Sequence, residues 1–77
     1  MSTINAEKFG QICDAVWRDR AAILSQRGLL SAEDALVRAV YWRIIKAGGE
    51  PGRNTGAYAP LLDKLVRQCR DEAAPSG

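Results

Sequence analysis

The chain contains no histidine. That absence removes the side chain most often used as a general base near neutral pH, and with it the commonest protein ligand for transition metals. Two cysteines, Cys13 and Cys69, are too few and too widely separated for a zinc site of four protein ligands or for a disulfide framework. Each falls within an apolar stripe, which suits buried free thiols in a reducing compartment. A Cys13–Cys69 bridge would require the first and last helices to be neighbours. No run of about 18 apolar residues occurs, so no membrane-spanning helix is expected. The opening residues, Met1 to Lys8, lack the apolar core of a secretory leader, and the expected location is cytoplasmic.

An excess of one charge is missing as well. The 11 basic and 9 acidic residues are mixed along the chain: four against three over 1–28, three against two over 29–49, and four against four over 50–77. This is not the concentrated positive footprint of a nucleic-acid binder. Neither the phosphate-binding loop pattern nor the Gly-x-Gly-x-x-Gly of dinucleotide folds is present, and no strand is predicted that would feed either. No catalytic residue, metal ligand or cofactor is expected. The adjacent carboxylates Glu33 and Asp34 are explained as helix-start charges, and so short a chain has little room for a substrate cavity beside its core. Internal repeats, low-complexity tracts and a sustained heptad register are also absent.

What the sequence does contain is helical periodicity. The spacing predicts an all-α fold in one domain, 1–77: a small antiparallel bundle of three helices at about 5–27, 32–47 and 57–72, with a flexible tail at 73–77. Helix one begins at Thr3 or Asn5, either able to accept a hydrogen bond from a free first-turn amide. Its stripe is Phe9, Ile12, Cys13, Val16, Ile23 and Leu24, with Trp17 on the border. Gly28 in a left-handed conformation ends it, with Leu29 folded back on the last turn. Ser31 followed by Glu33 and Asp34 opens helix two with a shortened relative of the capping box. Lys46-Ala47-Gly48-Gly49 closes it, and the short connection to helix one favours antiparallel neighbours.

The segment 48–56 holds four of the seven glycines, with Pro51 among them, and is expected to be a connecting loop. Its Arg53, Asn54 and Thr55 before a helix give only a weak anion-binding signal. Helix three tolerates Pro60 in its first turn and carries Tyr58, Leu61, Leu62, Leu65, Val66 and Cys69 on one face.

The middle helix carries the main functional clue, because it is apolar on two sides. Leu36, Val37, Val40, Tyr41, Ile44 and Ile45 form a core-facing stripe, while Trp42 projects opposite it beside Ala35 and Ala39. Tryptophan is enriched at interface hot spots, so Trp42, with Ala39 and the flanking Arg38 and Arg43, is the first candidate for a partner-binding surface. Arg20 interrupts the stripe of helix one next to Trp17. It must reach solvent along its aliphatic stem, meet a carboxylate of this chain, or meet an acidic group of a partner.

The expected function is a small non-catalytic protein-interaction or regulatory module, acting as a homo-oligomer, a homodimer for instance, or as an accessory subunit. The alternative is a nucleic-acid-binding module using Arg38, Arg43, Lys64, Arg67 and Arg70. Against it, the nine residues of 48–56 are not the short turn of a helix-turn-helix, and Asp63, Asp71 and Glu72 interleave with the last three cations.

Overall fold

The computed structural model describes residues 4–73. All regular structure among them is helical, in five elements: α1 (Ala6–Arg18), α2 (Arg20–Ser25), α3 (Ala32–Lys46), α4 (Pro51–Ala57) and α5 (Ala59–Ala73). The three longer helices α1, α3 and α5 each pack against the other two; α2 lies on α3, and α4 bridges α3 and α5. Their shared core is Phe9, Ile12, Cys13 and Val16 from α1, Leu36, Val40 and Ile44 from α3, and Leu65 and Cys69 from α5. Both thiols are buried and free. None of the described helices is long and apolar enough to cross a membrane.

Helix starts follow the capping chemistry. Asn5 Oδ1 accepts the Lys8 N–H at 2.8 Å, so Asn5 is the cap of α1, and Thr3 lies outside the described residues. Ser31 Oγ accepts the Asp34 N–H at 3.1 Å at the start of α3. The end of α3 is a full Schellman turn: Gly48, at φ +86°, donates to the Ile45 carbonyl at 3.0 Å and Gly49 to the Ile44 carbonyl at 2.9 Å.

Three expectations are corrected. Helix one is not continuous to residue 27: it breaks at Asp19 (φ −93°, ψ 9°), and α2 ends at Ser25. Side chains hold the break. Arg43 donates to Asp19 Oδ2 at 2.8 Å, and Arg20 donates through Nη1 to the Trp17 carbonyl at 2.8 Å, an acceptor that a straight helix would reserve for its own ladder. Gly28 does adopt the left-handed conformation, at φ +62°, but Leu29 does not fold back and is fully exposed, at 107% of its reference area.

The glycine-rich segment 48–56 is not simply a loop, because α4 occupies most of it. Pro51 sits in the first turn, where its fixed φ is already helical, and Thr55 Oγ1 donates to the Pro51 carbonyl at 2.8 Å. Tertiary anchoring overrides the poor propensity of Gly52 and Gly56. Asn54 is wholly buried; its Nδ2 donates to the Glu50 carbonyl at 2.7 Å and its Oδ1 accepts the Ile4 N–H at 3.1 Å. Past the break at Tyr58, Pro60 falls in the first turn of α5 as expected. The tail foreseen over 73–77 lies, beyond Ala73, outside the described residues.

Candidate functional site: the outer face of α3

Helix α3 has two dissimilar sides. Leu36, Val40 and Ile44 point into the core with 1% exposure or less. Ala35 is also buried, and Ala39 packs against the core, since α2 and the turn after it cover that flank. Tyr41 and Ile45, expected in the core stripe, instead face outward. Helical spacing places Arg38, Tyr41, Trp42 and Ile45 on one strip, at i, i+3, i+4 and i+7. Trp42 is 64% exposed and Ile45 50%, and with Tyr41 they make up three of the four large exposed apolar side chains among the described residues. The fourth is Leu29, just before α3.

Two shallow depressions border this strip. One, of about 360 Å³, is lined by Arg38, Tyr41, Trp42 and Ile45. The other, of about 400 Å³, runs between α2 and α3 and is lined by Ile23, Gln26, Arg27, Leu30, Ala35, Arg38, Ala39 and Trp42. Trp42 and Arg38 therefore share both, and Ala39 joins them in the second. Neither lining includes a carboxylate, and Arg38 makes no ion pair or hydrogen bond among the described residues.

The remaining candidates are placed elsewhere. Trp17 and Arg20 line a separate depression with Leu24, Cys69 and Glu72. Arg20 stacks over the Trp17 ring, 4.2 Å from its centroid, and donates from Nε to Glu72 at 2.9 Å. The hydrogen bond to Glu72 holds the guanidinium pKa above its ordinary value. The question posed by an arginine inside an apolar stripe is thus answered within the chain, by a carboxylate contributed from the far end of α5.

Arg43 is likewise engaged with Asp19, and Arg70 with Glu33. Of the five cations proposed as a nucleic-acid patch, two are paired with carboxylates. Arg38 lies on the outer strip of α3, Arg43 lines a depression between α1 and α3 with Lys8 and Lys46, and Lys64 lines one between α1 and α5. Arg38, Arg43 and Lys64 thus line three different depressions.

Burial pushes the Cys13 thiol up to about 11, with Asp14 nearby adding to the effect. The Cys69 thiol is raised by burial first, and then by Glu33 and Glu72. Neither is activated as a nucleophile. Among the described residues, no group of three or more metal-ligating side chains comes together.

Sequence reasoning found Trp42 and Arg38 but missed Tyr41, Ile45, Leu30 and Ile23 as parts of the same surface. The missing signal was the break at Asp19, which swings α2 onto the Ala35 flank and turns the remaining apolar width of α3 outward. Comparison with known protein families, curated proteins and solved structures finds no match for this chain, so its own geometry carries the functional reading.

Proposed function

We propose that this chain is a non-catalytic protein-interaction module, a homo-oligomer or an accessory subunit, that binds through the outer face of α3. The three longer helices serve as an antiparallel bundle that holds this face rigid. The observation that carries the reading is Trp42, 64% exposed at the centre of an apolar strip with Tyr41 and Ile45 and bordered by the unpaired Arg38. Burying such a strip is favourable by about 25 cal/mol per Å² of apolar surface. A rigid aromatic gains that area at low entropic cost, and an arginine at the rim orients the partner. Regulation through this surface follows if occupancy of the strip controls what the partner does.

The test is site-specific photo-crosslinking in the cell. A photo-reactive residue at Ile45 should give heavier covalent species, whereas one at Lys64, on the α1/α5 side, should not. Equal yields at the two positions, or no product at Ile45, would remove the reading.

A further inference from the structure

The order of side chains along the outer face of α3 is self-complementary. Asp34 and Arg38 stand two positions either side of Leu36 on α3, and Leu30, in the turn before α3, and Trp42, on it, stand six positions either side of Leu36 in the chain. In chain order these four residues read apolar, acid, base, apolar about one level. Asp34 and Arg38 are one helical turn apart on the same side, yet no ion pair joins them to each other or to any other described residue. Asp34 uses only its backbone amide, which donates to Ser31 Oγ. Leu30 and Trp42 line the same depression between α2 and α3, so the two apolar ends lie on one surface. Leu29, fully exposed, adds to the apolar end beside Leu30.

We propose that the partner on this face is a second copy of this chain, with the two α3 helices antiparallel about a two-fold axis level with Leu36. This rests on the reading of the outer face as an interaction surface, and it adds what sits there and in which register. In an isologous contact residue i meets residue j and j meets i. Such an axis sets Asp34 of each copy against Arg38 of the other and carries Trp42 of each toward the turn before α3 of the other, where Leu30 and the exposed Leu29 lie. Acid meets base twice and apolar meets apolar twice, with no charge supplied from outside. A parallel arrangement would bring Arg38 against Arg38 and Asp34 against Asp34. The gain would be large for this chain, since at about 70–80 residues a single core gives only marginal stability and a second copy extends it.

Sedimentation analysis over about 1 μM to 1 mM protein tests the register by charge exchange. The unaltered chain is expected to form dimers as concentration rises. Asp34→Lys and Arg38→Glu each turn two attractive contacts repulsive and are expected to weaken the dimer about tenfold or more. The double variant Asp34→Lys/Arg38→Glu restores opposite charges across the axis and should recover most of the loss. Both positions are exposed, and helical circular dichroism checks that each variant folds; the neutral pair Asp34→Asn and Arg38→Gln serves if a charge reversal does not.

A protein monomeric at every concentration overturns the proposal, as does a dimer that the single exchanges leave intact or the double exchange fails to rescue. The photo-crosslink at Ile45 separates the two levels. A heavier product of some mass other than twice the chain, from a monomeric protein, removes the second copy but leaves the interaction surface standing. Absence of any product removes both.

Discussion

The side chain of Asn54 holds the backbone of Ile4, a residue 50 positions away, by accepting its N–H at 3.1 Å. Tyr58, one helical turn on from Asn54, donates its hydroxyl to the carbonyl of the same Ile4 at 2.9 Å, so both backbone groups of one residue are clamped from α4 and its end. Asn54 is the only fully buried polar side chain among the described residues and has both ends of its amide satisfied. Replacing it with leucine would leave the part-buried Ile4 N–H without this acceptor, while the Glu50 carbonyl keeps the backbone amide of residue 54 at 3.0 Å, and should cost about 1–3 kcal/mol. Tyr58→Phe keeps the ring against Phe9, 5.2 Å between centroids, and should cost about 1 kcal/mol. The double variant should lose less than the sum, because both act on one residue. Urea denaturation of the four proteins measures this, and strict additivity would mean that the clamp does not work as a unit.

Two glycines in this chain should respond in opposite directions to alanine. A Cβ on Gly49 would lie 2.9 Å from Ile44 Cγ2, 3.0 Å from Asn54 Nδ2 and 3.2 Å from Ile4 Cγ2, so Gly49→Ala must displace the clamp just described. The expected loss is about 1–3 kcal/mol. Gly10, inside α1, has nothing within 4 Å of its added Cβ, and Gly10→Ala should gain about 0.5–1 kcal/mol from helix propensity alone. Thermal denaturation that moved both midpoints the same way would contradict the packing around Gly49.

The contrast between these glycines shows what was legible in the sequence. Periodicity located Phe9, Ile12, Cys13 and Val16, and Leu65 and Cys69, because each set sits on one helix face and the signal is local. Ser31 and Gly48 marked the ends of α3 because capping chemistry is local too. The break at Asp19 was not legible: its carboxylate bonds to Arg43, 24 positions away, and no window of neighbours reports that. Helix α4 was hidden for the same reason, since its glycines argue for a loop and its stabilising contact runs from Asn54 to Ile4. The functional surface was half visible. Trp42 stood out as a large residue off the core stripe, but Tyr41 and Ile45 fit the core stripe just as well by spacing, and only the position of α2 assigns them outward.

Stability should fall as pH rises through the range in which Cys13 ionises. Its folded-state pKa is raised from 9.0 to about 11, mainly by burial. A raised pKa means that the native state holds its proton after the unfolded chain has lost it. The contribution is therefore fully present below about pH 9 and is lost between about 9 and 11 as thiolate accumulates in the unfolded state. Cys13→Val removes this dependence while keeping an apolar side chain of similar size. The reading is the difference between the two proteins, which cancels effects common to both. The gap in denaturation midpoint should move steadily toward the valine variant from pH 8.5 to 11. A gap that stays constant over that range would show that the thiol is as free to ionise in the fold as outside it. The same protection predicts slow reaction of Cys13 with a thiol reagent at pH 8 unless denaturant is present.

The two tryptophans should separate cleanly in stability and in emission. Trp17 packs against the core with the Arg20 guanidinium above its ring, and Arg20 is in turn fixed by Glu72. Trp17→Ser removes that packing and frees the arginine, an expected loss of about 2–3 kcal/mol. Trp42 is 64% exposed in the single chain and supports little of its core, so Trp42→Ser should change unfolding free energy by about 0.5 kcal/mol or less when measured at low concentration. Emission from the Trp42→Phe variant, which retains only Trp17, should be blue and poorly quenched by acrylamide. The Trp17→Phe variant should be red and readily quenched when dilute. A large stability loss in dilute Trp42→Ser would place that side chain in the fold rather than on a surface awaiting a partner, and the functional reading of α3 would go with it.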